Sequence, residues 1–126
     1  MGTPEELAFL LQESGLALVD ASDVLHAADP DLADRTPFLP RGTTQADTWV
    51  AKHGDPTKSV EAAMKLAAMV GLLKSFQFGL PEGAEQYESE MQFFRRDSQP
   101  VKTTGESLPI AICAGVMTEL ASRVRA

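Results

Sequence analysis

Thr57–Phe78, TKSVEAAMKLAAMVGLLKSFQF, decides how the chain is read. Stepped at about 100° per residue, Val60, Ala63, Met64, Ala67, Val70, Gly71 and Phe78 share one broad face. Ala62, Leu66, Met69, Leu73 and Phe76 fall on the opposite side. So wide an apolar arc exceeds what a surface helix carries and predicts a helix covered by protein on most sides. Glu61 and Lys65, four apart and opposite in charge, mark its wet strip. At 1.5 Å per residue such a helix would run about 33 Å, against a radius of gyration of about 14 Å for a globule of this length. The expected fold is therefore all-α: a compact bundle of roughly five or six helices around a central buried helix at 57–78.

Ala63, Ala67 and Gly71, spaced by four, make a smooth groove along that helix. Small residues at this spacing let a second helix approach closely. Glycine in a helix interior costs about 1 kcal/mol against alanine, so a close neighbour at Gly71 is expected to offset it. The neighbour is the chain's own last helix, a second copy or a protein partner. Gly115, inside the uncharged run Leu108–Met117 (LPIAICAGVM), is the expected counterpart, and that run is expected to be buried.

Towards the N-terminus, Gly54 stops a short helix and Asp55-Pro56 starts the long one. The short helix runs from Thr44, its N-cap, to His53, with Asp47 closing a capping box and Trp49 and Val50 on its buried side. Before it lies DPDLADRTPFLPRGT, residues 29–43, a Pro-rich loop whose Phe38 and Leu39 are expected to pin it to the core. Arg41 and Thr43, beside a glycine and leading into a helix N-terminus, offer chemistry for an anion, although Asp47 in the first turn opposes one. Asp20 or Ser22 starts a helix that ends at Ala28, and Thr3, Pro4 and Glu6 are a strong start signal for the first helix.

Towards the C-terminus, Gly79 ends the long helix and Pro81 opens another from Glu82 to about Arg96, with Tyr87, Met91 and Phe94 as its apolar seam and Glu82, Glu85 and Glu88 along another strip. Residues 97–105 read as a polar loop. Lys102-Thr103-Thr104-Gly105 has its glycine and lysine in the wrong order for a phosphate loop. A last helix, capped by Ser107, spans 108–124 and pairs Glu119 with Arg123 near its wet end.

The 126 residues fit one domain, 1–126. A net charge of −7 and a pI near 4.7 repel a phosphate backbone, so direct nucleic-acid binding is not expected, whereas a basic protein partner is. No apolar run is long enough to span a bilayer. The opening MGTPEELAFLL is acidic where a signal peptide needs a basic leader, and the single cysteine, Cys113, forms no internal disulfide. A cytoplasmic protein is the expectation. No cofactor is expected, and no complete catalytic constellation is visible.

These features favour a non-enzymatic, acidic helical interaction module: an adaptor, an assembly subunit, or an inhibitor or immunity-type factor that occupies a basic protein surface. Its binding residues would be Phe38, Leu39, Arg41, Thr43, Ala63, Ala67 and Gly71, and self-association to a homo-oligomer would cover its surplus of apolar helix surface. The competing reading is a small helical enzyme or ligand carrier. In it Asp20, Asp23 and His26, at helical spacing, would join Glu85 and Glu88 in a metal or acid–base site between helices.

Overall fold

The computed structural model describes residues 3–13, 19–33, 44–94 and 99–125. In chain order they form α1 (Pro4–Glu13), α2 (Ala21–Ala28), a 3-10 turn (Pro30–Ala33), α3 (Gln45–His53), α4 (Val60–Val70), β1 (Leu73–Gly79), β2 (Tyr87–Phe93), β3 (Val101–Gly105) and α5 (Leu108–Arg125). The fold is mixed: helices packed with a three-stranded antiparallel sheet of order β1-β2-β3. The expectation of an all-α helical bundle is thereby corrected.

The correction starts at Gly71. Helix α4 begins after Ser59, whose side chain accepts from the Ala62 amide, and it ends where the Gly71 amide donates to the Ala67 carbonyl. The central helix expected at 57–78 is thus half helix and half strand. Leu73–Phe78 carries three aromatic or leucine side chains that a helix could also have buried, but β2 offers them a better neighbour. Leu73 pairs with Phe93, Phe76 with Met91 and Phe78 with Ser89. The register shifts between Leu73 and Ser75, so Lys74 is the extra residue of a β-bulge. The bulge keeps Leu73 on the same face as Phe76 and Phe78.

The helix expected from Glu82 to about Arg96 is also a strand. YESEMQF alternates strictly: Ser89, Met91 and Phe93 are buried while Glu90 faces solvent. That is the period of a sheet with one covered face. The segment expected as a loop at 97–105 supplies β3, where Thr103 and Gly105 are buried.

Helix α5 is the true centre. Ile110 through Met117 are all buried, as is Glu119, because α5 touches α1, α2 and α4 as well as β2 and β3. Its approach to the sheet is close. A Cβ on Gly105 would lie 2.6 Å from the Ala111 amide nitrogen, and one on Gly115 would lie 3.0 Å from Met91 Cε. The Thr103 hydroxyl donates to the Ala111 carbonyl at 2.8 Å in this buried seam. Gly115 therefore faces the sheet rather than Gly71.

The N-terminal half follows its capping signals. The Glu6 amide donates to Thr3 Oγ1 at 3.2 Å. Asp20 and Asp23 form a reciprocal capping box on α2. The Thr44 amide donates to Asp47 Oδ2 at 2.8 Å, and Gly54 closes α3 with φ of 99°, a conformation only glycine adopts cheaply. No helix among the described residues is long and apolar enough to cross a membrane.

Candidate functional site

The two edges of the sheet are treated differently, and the phase of the ladder shows what each exposes. In an antiparallel sheet the amide and carbonyl of one residue point to the same neighbour, and successive residues alternate. The Thr104 amide turns away from β2 and donates to Gln12 Oε1 of α1 at 3.2 Å. Tyr87, Ser89 and Met91 therefore bond towards β3, leaving Glu88, Glu90 and Gln92 to bond towards β1. Their partners are Gly79, Gln77 and Ser75. The Phe94 amide donating to the Leu72 carbonyl at 2.8 Å fits the same phase. It follows that Phe76 and Phe78 direct their backbone amide and carbonyl groups away from β2, along the outer edge of β1.

The β3 edge is met by α1 at Thr104. Gln12 accepts from Thr104 through its side chain, while its backbone carbonyl accepts from Gln86 Nε2 at 3.3 Å. Among the described residues no backbone hydrogen bond reaches the outer edge of β1. Along that edge and at its two ends lie the exposed apolar residues of the sheet: Phe78 (47% exposed) and Leu80 (51%) at one end, Leu72 (72%) and Phe94 (59%) at the other. The Phe76 and Phe78 rings stand 4.7 Å apart on one face, Phe76 half-buried against the core and Phe78 exposed beyond it. On the opposite face a shallow depression runs from Phe78 and Leu80 to Glu88, Glu90 and Lys102.

The residues singled out in the sequence fall as follows. Phe38, Leu39, Arg41 and Thr43 lie outside the described residues. Ala63 and Ala67 are fully buried on α4, which packs on α5. Gly71 is the C-cap of α4, where a Cβ would lie 3.0 Å from Arg123 Nη2 and 3.3 Å from Phe93 Cδ2. The small-residue groove thus serves the chain's own last helix and sheet. Asp20 and Asp23 direct their carboxylates to each other's amides. His26 stands in the last turn of α2, and its buried Nε2 has no hydrogen-bond partner among the described residues. Glu85 is exposed in the turn before β2, and Glu88 pairs with Lys102 at 3.7 Å on the outer face of the sheet. The structure does not gather these five. Among the described residues no three His, Cys, Asp or Glu side chains are grouped to hold a metal ion.

The buried polar groups hold the fold together. Arg123 donates to the Val70 carbonyl at 2.7 Å and to Glu119 Oε1 at 3.3 Å, and its guanidinium lies 5.5 Å from the Phe93 ring centroid. One side chain thereby ties the end of α4 to α5 and to β2. Burial, with Asp55 adding to it, pushes the Cys113 thiol far above its ordinary range, and Sγ lies 3.1 Å from the Pro56 carbonyl. A thiol so placed is packing, not a nucleophile. Partial loss of water beside Trp49, then Lys65 and Lys52, lowers the pKa of His53.

Sequence reasoning missed the β1 edge. The available signal was the alternation of Tyr87–Phe93, which marks a half-buried strand and so calls for at least one strand beside it. No protein-family model, curated protein or solved structure matches the chain.

Proposed function

We propose that the protein is a non-enzymatic protein–protein interaction module that takes an extended partner segment along β1. The observation that carries this reading is the edge of β1, open among the described residues: outward backbone groups at Phe76 and Phe78, with exposed side chains at Phe78 and Leu80. Strand addition draws affinity from main-chain hydrogen bonds and selectivity from alternate side chains. Natural edge strands are normally blunted or covered: Gln12 meets β3 at Thr104, and the bulge at exposed Lys74 blunts one end of β1, leaving Ser75–Gly79 regular. The net charge of −7, with Glu82 and Glu85 in the turn after β1, favours a partner segment that carries a basic residue beside its apolar ones. The cytoplasm is the compartment this reading assumes, supported by the free, buried thiol of Cys113.

Phe78→Pro tests the edge. It removes an outward amide and leaves the β1–β2 bonds of Gln77 and Gly79 in place, since proline is tolerated on a strand whose amide faces solvent. In affinity capture from native extract, a partner bound by the wild-type chain is expected to fall about tenfold or more with Phe78→Pro, the equivalent of about 1.4 kcal/mol. Equal capture by both, with both folded by circular dichroism, would sink the edge reading.

A further inference from the structure

We propose that the segment β1 takes is β1 of a second copy, antiparallel, with a two-fold axis through Gln77; the inference rests on the edge reading above. Between the bulge at Lys74 and the end of the strand at Gly79, the regular part of β1 is Ser75–Gly79, and Gln77 is its centre. Pairing about that centre sets Phe76 of each copy opposite Phe78 of the other and Ser75 opposite Gly79. Phe76 and Phe78 are the residues whose amides and carbonyls point outward, so each Phe76–Phe78 pair exchanges two hydrogen bonds and Gln77 faces Gln77 as a non-bonded pair. The result is a continuous sheet of order β3-β2-β1-β1-β2-β3 with a self-complementary interface.

The side chains agree with that register. On the inner face two Phe76 and two Phe78 rings come together as cross-strand aromatic pairs, covering rings that the single chain leaves half-exposed. On the outer face the contacting residues are Ser75, Gln77 and Gly79, with no charge to repel. Charge then selects the direction of pairing. Lys74 is the only charged residue of β1, and Glu82 follows the other end of the strand. Antiparallel pairing sets the Lys74 end of one copy against the Gly79 end of the other, beyond which its Glu82 follows. Parallel pairing would set lysine beside lysine. The basic residue that the acidic turn after β1 favours is thus carried by the chain itself. Five paired residues span about 17 Å, a small interface that gives a reversible, concentration-dependent dimer.

Cysteine cross-linking reads the register directly. In a non-hydrogen-bonded pair the two Cα atoms lie about 4.5 Å apart, within disulfide range. Gln77→Cys is therefore expected to form a covalent dimer on mild oxidation. Ser75→Cys is not, because its equivalent atoms are offset by about 13 Å along the strands. Cys113 is buried and takes no part. Sedimentation equilibrium of the purified wild-type chain is expected to show monomer and dimer. Phe78→Pro or Lys74→Glu should raise the dissociation constant about tenfold, and Glu82→Lys added to Lys74→Glu should restore it. A strict monomer at about 1 mM protein, or equal cross-linking of both cysteine variants, overturns the dimer. If the monomer still captures a partner in a Phe78-dependent way, the dimer fails and the interaction reading stands. If neither dimer nor Phe78-dependent capture is found, both fail.

Discussion

At Gly105 the space for a side chain is already filled. A Cβ there would meet the Ala111 amide nitrogen at 2.6 Å, Ile110 Cγ2 at 2.8 Å and Ala111 Cα at 3.0 Å, and two of these three are backbone atoms that cannot rotate aside. The closeness has a purpose. It lets α5 lie on β3 tightly enough for Thr103 to donate to Ala111, so the sheet and the central helix are joined by a hydrogen bond as well as by packing. Gly105→Ala is expected to destabilise the protein by about 1–3 kcal/mol, the usual cost of overpacking a rigid seam, read as a fall in the urea midpoint with an unchanged slope. Gly115→Ala makes the contrast. Its nearest neighbour is the flexible end of Met91, and helix propensity favours alanine by about 1 kcal/mol, so it should cost less. A larger loss at Gly115 than at Gly105 would show that the helix does not lean on β3 as described.

At the scale of the elements, the bulge in β1 makes a sharper demand. Because Lys74 is the extra residue opposite Phe93 and Gln92, deleting it should heal the ladder and keep Leu73, Phe76 and Phe78 on the inner face. Deletion of Lys74 is expected to change stability by less than about 1 kcal/mol. Deletion of Gln77 slips the register by one residue and drives Phe78 to the outer face, and it should cost several times more by thermal unfolding. Equal losses would mean that the extra residue is not Lys74.

The elements also show what a sequence can reveal. Start and stop signals are local, so Thr3, Asp20 and Thr44 as caps and Gly54 as a stop were legible, as was the last helix with its uncharged buried half. Leu72–Phe78 was not. Its apolar residues satisfy a helical period and a strand period equally over so short a run, and the arbiter is Phe93 and Met91, some fifteen to twenty residues away in the chain. In the sequence Gly71 reads as a packing device inside a helix, whereas it is also the point where the helix stops. The acids at 82, 85 and 88 drew attention to a three-residue spacing and away from the two-residue alternation that governs β2. The candidate edge exists only once β1 and β2 are known to pair, so no residue of it stood out beforehand.

In the whole molecule, α5 packs against α1 and α4 and against β2 and β3, while the outer edge of β1 receives no backbone hydrogen bond among the described residues. The sheet therefore has a closed side, where Gln12 meets Thr104, and an open side at Phe76 and Phe78. That asymmetry makes the edge a place to receive a strand, and it predicts a pattern no helix can imitate. Amide hydrogen exchange across Leu73–Gly79, followed residue by residue by NMR at low and high protein concentration, is the direct measurement. At low concentration the Gln77 and Gly79 amides should be protected and those of Phe76 and Phe78 should not. Raising the concentration should slow Phe76 and Phe78 selectively as the second copy pairs with them. Unbroken protection from Leu73 through Phe78, the mark of a helix continuing past Gly71, or no response of Phe76 and Phe78 to concentration, would contradict the account.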